Sequence, residues 1–216
     1  MDASHSSQSR LAVYARVVRT WMLHIVRRTD IGKWRRYDFP GEWDLRSRKI
    51  ASLIPPGSTV HEFGAGASKL ADHLSVGCTL ISSDLVERYP GMPVFDLNRR
   101  PLPAIVGKQP LVAVLGGVLE YLSDPPAVTQ WIARNFEYCI ASYECANHTS
   151  GLIESVREWI RRNHEGWVNH YTQAGLLQLF SNAGFQLVET ALWGDTDPGT
   201  IFVFRKHMAK DDPASA

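Results

Sequence analysis

Two glycines lie at a point where the chain could turn tightly around a ligand. Gly64 and Gly66 belong to the segment E-F-G-A-G-A-S at residues 62–68, which follows an apolar run and precedes a helical pattern. Because glycine has no Cβ, the backbone at these positions can turn sharply and approach a bound molecule closely. The segment therefore indicates a ligand-binding turn, although a strand-to-helix turn that binds nothing would have the same composition.

The spacing of the glycines argues against two common nucleotide-binding loops. The dinucleotide fingerprint G-x-G-x-x-G needs a third glycine at the position of Lys69. A phosphate-binding P-loop needs a Gly-Lys-Ser or Gly-Lys-Thr sequence after four spacer residues, which this segment lacks. An oxidoreductase that uses a nicotinamide dinucleotide is therefore the less favoured nucleotide-binding class.

Two acidic residues end apolar runs further along the chain. Asp84 follows Gly64 by twenty residues and ends the run L-I-S-S-D, and Asp96 ends the run V-F-D. A carboxylate at the first position can accept both hydroxyl protons of a ribose, each bond contributing about 1.5–3 kcal/mol. Asp96 is placed to accept an adenine amino proton. A single acid is more often a helix cap or a turn residue, but these features at the ends of successive strands favour a nucleoside site.

The elements that must position these residues alternate between strands and helices. This alternation predicts an α/β fold with a doubly wound, mostly parallel, seven-stranded sheet covered on both faces. The last two strands have no helix between them, so one strand should be antiparallel. Strands are predicted at residues 59–63, 79–83, 93–96, 111–115, 138–143, 185–192 and 200–205, and helices at 10–28, 42–53, 68–74, 124–135, 151–163 and 172–183.

Composition limits the class of protein. The 216 residues are 44% hydrophobic and 21% charged, with a formal net charge of +1, which argues against intrinsic disorder. The three cysteines are widely spaced and form neither a disulfide framework nor a zinc site. We therefore expect a cytoplasmic protein with no bound metal. The uncharged apolar run at residues 109–119 is too short to cross a bilayer.

The sequence resembles the class I S-adenosylmethionine (SAM)-dependent methyltransferases, particularly the small-molecule type, over residues 50–205. The first motif of that family reads acid-x-G-x-G-x-G, and here Ser68 replaces the third glycine. Residues 114–125 resemble its fourth-strand motif, and residues 167–172 and 183–185 resemble the segment before its last crossover. The resemblance implies a Rossmann-like fold with SAM as cofactor. The residues implied to bind it are Glu62, Gly64, Gly66, Ser68, Asp84, Asp96 and Leu115.

Three residues are candidates for catalysis on the acceptor side. His170 lies in a loop that leads into a helix, and an ordinary imidazole titrates in a range suited to a general base. Glu120 and Tyr121 follow the fourth-strand motif and could position an acceptor, although many relatives carry histidine where this chain has Tyr121. The alternatives are that His170 only packs at a helix start capped by Thr172, and that Glu120 begins a solvated turn.

The first fifty residues carry eleven Lys or Arg against five Asp or Glu. They are interpreted as a helical extension or lid over residues 51–206, the methyltransferase domain, with residues 207–216 as a tail. Trp34, Tyr37 and Trp43 could form an aromatic wall beside residues 120–122 and 167–171. The alternatives are contact with an anionic membrane surface or RNA, but no RNA-binding module is recognisable, so no nucleic acid is expected. An acidic or phosphate-bearing acceptor would meet a group of basic residues, namely Arg27, Arg28, Lys33, Arg35 and Arg36.

The expected function is SAM-dependent transfer of a methyl group to oxygen or nitrogen of a small metabolite or glycan precursor. The acceptor could be acidic or sugar-bearing. A nonenzymatic partner or regulatory subunit that keeps the fold is the alternative from another class. The sequence leaves the oligomeric state open.

Overall fold

A mixed sheet of six strands forms the centre of the described part of the chain. A computed structural model describes residues 3–26, 28–37, 39–41, 43–105, 111–146, 152–194 and 199–207. The strands are β1 (Thr59–Phe63), β2 (Thr79–Ser83), β3 (Leu111–Gly116), β4 (Tyr138–Tyr143), β5 (Phe185–Leu192) and β6 (Thr200–Lys206). Their order is β2-β1-β3-β4-β6-β5, and β6 runs antiparallel to both of its neighbours. The α/β fold and the antiparallel strand at the end of the chain are confirmed.

The seventh strand, predicted at residues 93–96, does not form. Only a parallel bridge between Asp84 and Val94 extends the sheet beyond β2. Pro90 and Pro93 have no N–H to donate to a ladder, and proline is tolerated in sheets only at edges and strand starts. The segment therefore contacts the sheet edge at one point and then turns away.

Six α-helices cover the sheet and its ends in the described residues. They are α1 (Ala3–Ile25), α2 (Ile31–Arg35), α3 (Trp43–Ser52), α4 (Pro125–Asn135), α5 (Leu152–His164) and α6 (Gln173–Asn182). Helix α4 begins where predicted because the Asp124 side chain accepts the N–H of Ala127 at 3.2 Å and Pro125 follows it. None of the described helices is both long and apolar enough to span a membrane.

The helix predicted at residues 68–74 is a single 3-10 turn, Lys69–Asp72. Gly64, Gly66 and Ser68 all have positive φ, at 72°, 55° and 56°. A residue in the left-handed region cannot belong to a right-handed helix, so the predicted helix cannot include Ser68, and the residues after it form only the 3-10 turn. The hydroxyl of Ser68, which should cap that helix, makes no capping hydrogen bond.

Strand β3 separates the two halves of the core. Its side chains alternate between the faces, so Ala113 and Leu115 pack with α4 and α6, while Val112 and Val114 pack with α3. All four are buried. Burial on both faces fixes the register of the strand and carries its carboxyl end, Gly116, to the edge where β1 and β2 also end.

Candidate active site

The carboxyl ends of β1, β2 and β3 border a narrow cavity of about 70 Å³, named here the acidic cavity. Gly64 and Asp84 line it beside Asp96, and Gly117 and Val118 close it from the end of β3. The crevice at this edge of a doubly wound sheet is where such folds bind ligands. The structure thus brings together four of the residues predicted to bind a cofactor, if Gly66, which bonds to Asp84, is included.

The Asp84 carboxylate is buried and faces both the backbone and the cavity. One oxygen, Oδ2, accepts the N–H of Gly66 at 2.7 Å, and Oδ1 accepts the N–H of Leu85 at 2.6 Å. Arg88 approaches both oxygens at 3.4 Å. The first bond ties the end of β2 to the glycine turn, so Asp84 holds that turn in shape.

Asp96 lines the same cavity and connects it to the N-terminal segment. Its Oδ1 accepts the hydroxyl of Thr29 at 3.0 Å and the N–H of Asn98 at 2.9 Å. Asn98 in turn donates to Thr29 and to the carbonyl of Tyr121. These bonds make residues near Thr29 part of the cavity wall.

Neighbouring side chains leave no room for a Cβ at Gly64 or Gly66. A Cβ on Gly64 would lie 2.6 Å from Cγ2 of Val118, and a Cβ on Gly66 would lie 2.8 Å from the ring of Phe39. Residues 64–67 line a second cavity of about 70 Å³, named here the glycine cavity. Gly64, Phe39 and Trp43 line both cavities, so the two adjoin.

The other three predicted cofactor residues lie outside the three cavities described here. Leu115 belongs to the core, and Ser68 directly precedes the 3-10 turn. Glu62 is buried in β1, where its Oε2 accepts the hydroxyl of Ser82 at 2.9 Å. Burial raises the pKa of Glu62 to about 7, against opposing effects from the Ser82 bond and the Arg46 charge. Glu62 therefore supports β1 and β2 below the turn.

A third cavity, named here the basic cavity, is larger, at about 490 Å³. Its wall carries five cations, two carboxylates and two histidines. Thr29, Trp34 and Tyr121 line both the basic and the acidic cavity, so these residues form the wall between them. The cations are Arg16, Arg19, Arg28, Lys33 and Arg36. Of the predicted basic residues, Arg35 is not part of the wall, and Arg27 lies outside the described residues, as does most of the predicted tail.

Of the three predicted catalytic residues, Tyr121 faces the cavities. Its hydroxyl accepts the indole N–H of Trp167 at 2.9 Å, and its ring meets the edge of Trp34 at 4.9 Å between centroids. Burial raises the pKa of Tyr121 well above its usual value. The phenol therefore keeps its proton at neutral pH.

Glu120 is buried beside Tyr121 and points elsewhere. Its Oε1 accepts the N–H of Glu144 at 3.4 Å, and Oε2 has no hydrogen-bond partner among the described residues. Burial raises the pKa of Glu120 to about 7. Its backbone carbonyl accepts the N–H groups of Val168 and Asn169, which anchors the segment that contains Trp167.

His170 is half-buried and bonded to Arg162. The Nε of Arg162 donates to Nδ1 of His170 at 3.1 Å, so this nitrogen carries no proton. Burial, followed by the Arg162 charge, lowers the pKa of His170. Thr172 caps α6 by accepting the N–H of Gly175 at 3.1 Å, as the alternative interpretation of this segment expected.

Two side chains that organise the site, Arg162 and Arg88, were missed from the sequence. Arg162 is fully buried and also bonds to the Tyr143 hydroxyl and the Asn169 carbonyl, whereas the adjacent Arg161 is exposed. No sequence signal separates these two arginines. Arg88 donates to the Trp34 carbonyl at 3.1 Å and lies 4.9 Å from the Phe39 ring. Its position four residues after Asp84 was the available signal.

Comparison with known proteins gives one family and one fold. A family model described as a methyltransferase domain matches residues 34–190 of the chain. No curated protein matches the sequence at a significant level. Many solved structures share the fold.

One such structure is human N-acetylserotonin methyltransferase in complex with SAM, with a TM-score of 0.54 and 15% identity over 91% of this chain and 57% of that one. CalO1, a methyltransferase in calicheamicin biosynthesis bound to SAH, gives 0.51 and 16% over 76% of this chain and 53% of that one. This chain thus spans little more than half the length of these two proteins. Magnesium protoporphyrin IX methyltransferase from Synechocystis PCC 6803, with bound SAH, gives 0.50 and 17% over 82% of this chain and 94% of that one. At such identities the likeness shows the fold alone.

Proposed function

Because the chain belongs to the methyltransferase-domain family, we propose that it transfers a methyl group from SAM to oxygen or nitrogen of a small molecule. The observation that supports this most is the buried Asp84 carboxylate, which lines a cavity beside the glycine turn. The solved structures with the same fold include proteins crystallised with SAM or SAH. Residues 51–206 are the proposed catalytic domain, and residues 1–50 its cover.

The residues around the acidic cavity suit the nucleoside half of SAM. Asp84 offers a carboxylate to the ribose hydroxyls, and Asp96 offers one on the adenine side. Phe95, Leu97 and Val118 provide apolar contacts for the rings. A flat heteroaromatic base with polar edges needs such a combination of apolar walls and a few polar groups.

The glycine cavity suits the amino-acid half of the same donor. The backbone of residues 64–67 can approach a ligand closely. Arg46 and Lys69 supply positive charge for the carboxylate of the donor's amino-acid half. Each of the two adjoining cavities is smaller than the roughly 300–1,000 Å³ that small-molecule sites occupy. A donor that spans both must therefore displace the ring of Phe39 or Trp43, which line both cavities.

Catalysis in this proposal rests on alignment. When bound, SAM would supply a methyl group on its sulfonium sulfur. The acceptor's oxygen or nitrogen would bond to the methyl carbon as the bond from that carbon to sulfur breaks, leaving S-adenosylhomocysteine. The chain contributes the orientation of the two reactants, which can lower a barrier by about 7–11 kcal/mol. Tyr121 and Trp34 lie where the acidic and basic cavities meet, so they would position the acceptor. Tyr121 keeps its proton, and His170 and Glu120 lie outside the three cavities, so none of the three is assigned as a general base. The proton that the acceptor's oxygen or nitrogen loses would pass to water.

A nonenzymatic role within the same family is the second candidate. It is favoured by the narrow acidic cavity and by Arg88, which approaches the carboxylate that the ribose would need. A protein of this kind would keep the fold and bind a partner without transferring a methyl group. Donor binding separates the two candidates.

Calorimetric titration with S-adenosylhomocysteine and with NADH tests the proposal. We expect micromolar binding of S-adenosylhomocysteine and none of NADH, since the chain lacks the third glycine of the dinucleotide fingerprint. Failure to bind either ligand favours the nonenzymatic candidate. Binding of NADH alone would contradict both.

A further inference from the structure

The wall of the basic cavity has an excess of positive charge. Its five cations face two carboxylates, Asp30 and Glu165. Asp30 is bound by Arg19 at 3.0 Å and also accepts the backbone N–H of Lys33. Glu165 lies 3.5 Å from Nδ1 of His164. The acids therefore compensate part of the charge, and the cavity keeps a net positive field.

Several donors in this wall have weak or neutral partners. Arg16 approaches the imidazole of His164 at 3.3 Å, and Nε of Arg36 donates to the Gly32 carbonyl at 3.2 Å. The ring nitrogen Nδ1 of His24 is buried without a hydrogen-bond partner among the described residues. The two arginines therefore keep N–H groups for a ligand that enters the cavity.

Lys33 lies in the wall of the basic cavity among three aromatic rings. Its Nζ donates to the carbonyl of Glu165 and lies between 5.1 and 5.7 Å from the ring centres of Trp34, Tyr37 and Tyr121. Burial lowers the pKa of Lys33. An ammonium held among aromatic rings and away from water gains from a nearby anion more than an exposed one does.

The basic cavity adjoins the proposed donor site. Trp34 and Tyr121 form the shared wall, and a volume of about 490 Å³ falls within the range of small-molecule sites. A molecule that fills the basic cavity would thus present one end to the donor site and the other to the arginines.

We propose that the methyl acceptor carries a phosphate or carboxylate group, which the arginines of the basic cavity bind while the rest of the molecule reaches the Trp34–Tyr121 wall. This inference rests on the proposed function, because it assigns the acceptor of that reaction. Guanidinium groups match both anions through paired N–H donors. The anion fixes the orientation of the acceptor, which is the contribution that alignment catalysis needs.

The test measures binding of pyrophosphate to the whole chain by 31P NMR at constant ionic strength, with citrate as a carboxylate probe in a parallel calorimetric titration. The variant R28Q/R36Q removes two exposed cations of the cavity wall. The control R35Q/R134Q removes two exposed arginines that do not line it. We expect the variant to weaken pyrophosphate binding at least about tenfold and the control to change it less than about twofold, since loss of net charge alone acts equally in both.

Affinity for S-adenosylhomocysteine is measured on all three proteins, so that the two proposals fail separately. If R28Q/R36Q loses pyrophosphate binding but keeps its affinity for S-adenosylhomocysteine, the inference is supported. If it loses citrate binding in the same way, the inference is supported for an acceptor that carries a carboxylate. Equal anion binding by variant and control, or no binding of either probe to the wild type, overturns the inference and leaves the proposed function standing. Wild-type protein that does not bind S-adenosylhomocysteine overturns the proposed function itself.

Discussion

At the scale of single residues, Asp84 combines a structural and a binding role. A carboxylate offers about four acceptor positions, and the N–H groups of Gly66 and Leu85 use two of them at 2.7 and 2.6 Å. Arg88 faces the remaining positions at 3.4 Å, which is long for a charge-assisted bond. Ribose hydroxyls can therefore take the place of Arg88 while both backbone bonds persist.

The substitution Asp84→Asn tests this division. The amide has one acceptor oxygen and no charge, so it cannot hold both backbone groups and two hydroxyls. We expect the affinity for S-adenosylhomocysteine to fall at least about tenfold, which corresponds to losing one charge-assisted bond. Calorimetry measures the change, with Glu189→Gln as the control because Glu189 is exposed on β5 and lines none of the three cavities. An affinity unchanged by Asp84→Asn would exclude Asp84 from binding the ribose.

At the scale of elements, the six strands that form were predictable, whereas the failure of the seventh, at residues 93–96, and the shape of the turn after β1 were not. Strands β1, β2, β4 and β5 have the predicted bounds, because each is a short apolar run between clear turn residues. Residues 68–74 have a helical pattern, yet the bond from Gly66 N–H to Asp84 holds the preceding turn in the left-handed region. That bond joins residues eighteen positions apart, so no local pattern contains it.

Helix α2 shows the same limit. Its five residues, Ile31–Arg35, lie between the helices predicted at residues 10–28 and 42–53. A helix this short has little intrinsic stability. It is held by the Asp30 cap, which accepts the N–H of Lys33 at 3.1 Å, and by the Arg88 bond to the Trp34 carbonyl. The second contact is long-range and could not be predicted from the sequence.

Gly66→Ala tests the glycine turn as an element. Both Gly66 and Gly77 have positive φ, but a Cβ on Gly77 meets nothing within 4 Å, whereas one on Gly66 lies 2.8 Å from Phe39. Each alanine should cost about 1–3 kcal/mol of unfolding free energy from backbone strain. Only Gly66→Ala should also weaken S-adenosylhomocysteine binding, by more than about tenfold, since its methyl group enters the glycine cavity. Urea unfolding and calorimetry measure the two effects, and equal ligand affinities in the two variants would contradict the assignment of this cavity.

At the scale of the whole molecule, the N-terminal segment completes both proposed sites. Thr29, Trp34, Phe39 and Trp43 come from the first fifty residues and line the cavities at the sheet edge. The sequence predicted an aromatic wall from this region and a crevice around Asp84. It could not predict that Phe39 would lie against Gly66, because such packing depends on the path of the chain between distant segments.

The buried carboxyl of Glu120 should make global stability depend on pH. Its pKa is about 7 in the folded protein and 4.5 in an unfolded chain. Between these values the unfolded chain releases the proton while the folded protein retains it, so the unfolding free energy falls as pH rises and is lowest above pH 7. The full effect is about 3 kcal/mol.

Glu120→Gln removes this titration. Between about pH 5 and pH 8, we expect the unfolding free energy of the Glu120→Gln variant to fall about 2–3 kcal/mol less than that of the wild type. Glu154→Gln, at an exposed position on α5, should follow the wild type. Urea unfolding at both pH values measures the difference. Parallel pH profiles for Glu120→Gln and the wild type would show that Glu120 ionises in the fold as it does in the unfolded chain.

The guanidinium group of Arg88 connects the sheet edge to the N-terminal segment. Arg88 reaches the carboxylate of Asp84 on one side and the carbonyl of Trp34 on the other. A ligand at Asp84 that releases Arg88 would change the free energy of binding a second ligand beside Trp34. By thermodynamic linkage, each ligand changes the affinity of the other by the same factor. Two substrates that do not contact each other would therefore be coupled through Arg88. A titration of either substrate in the presence of the other would measure that coupling.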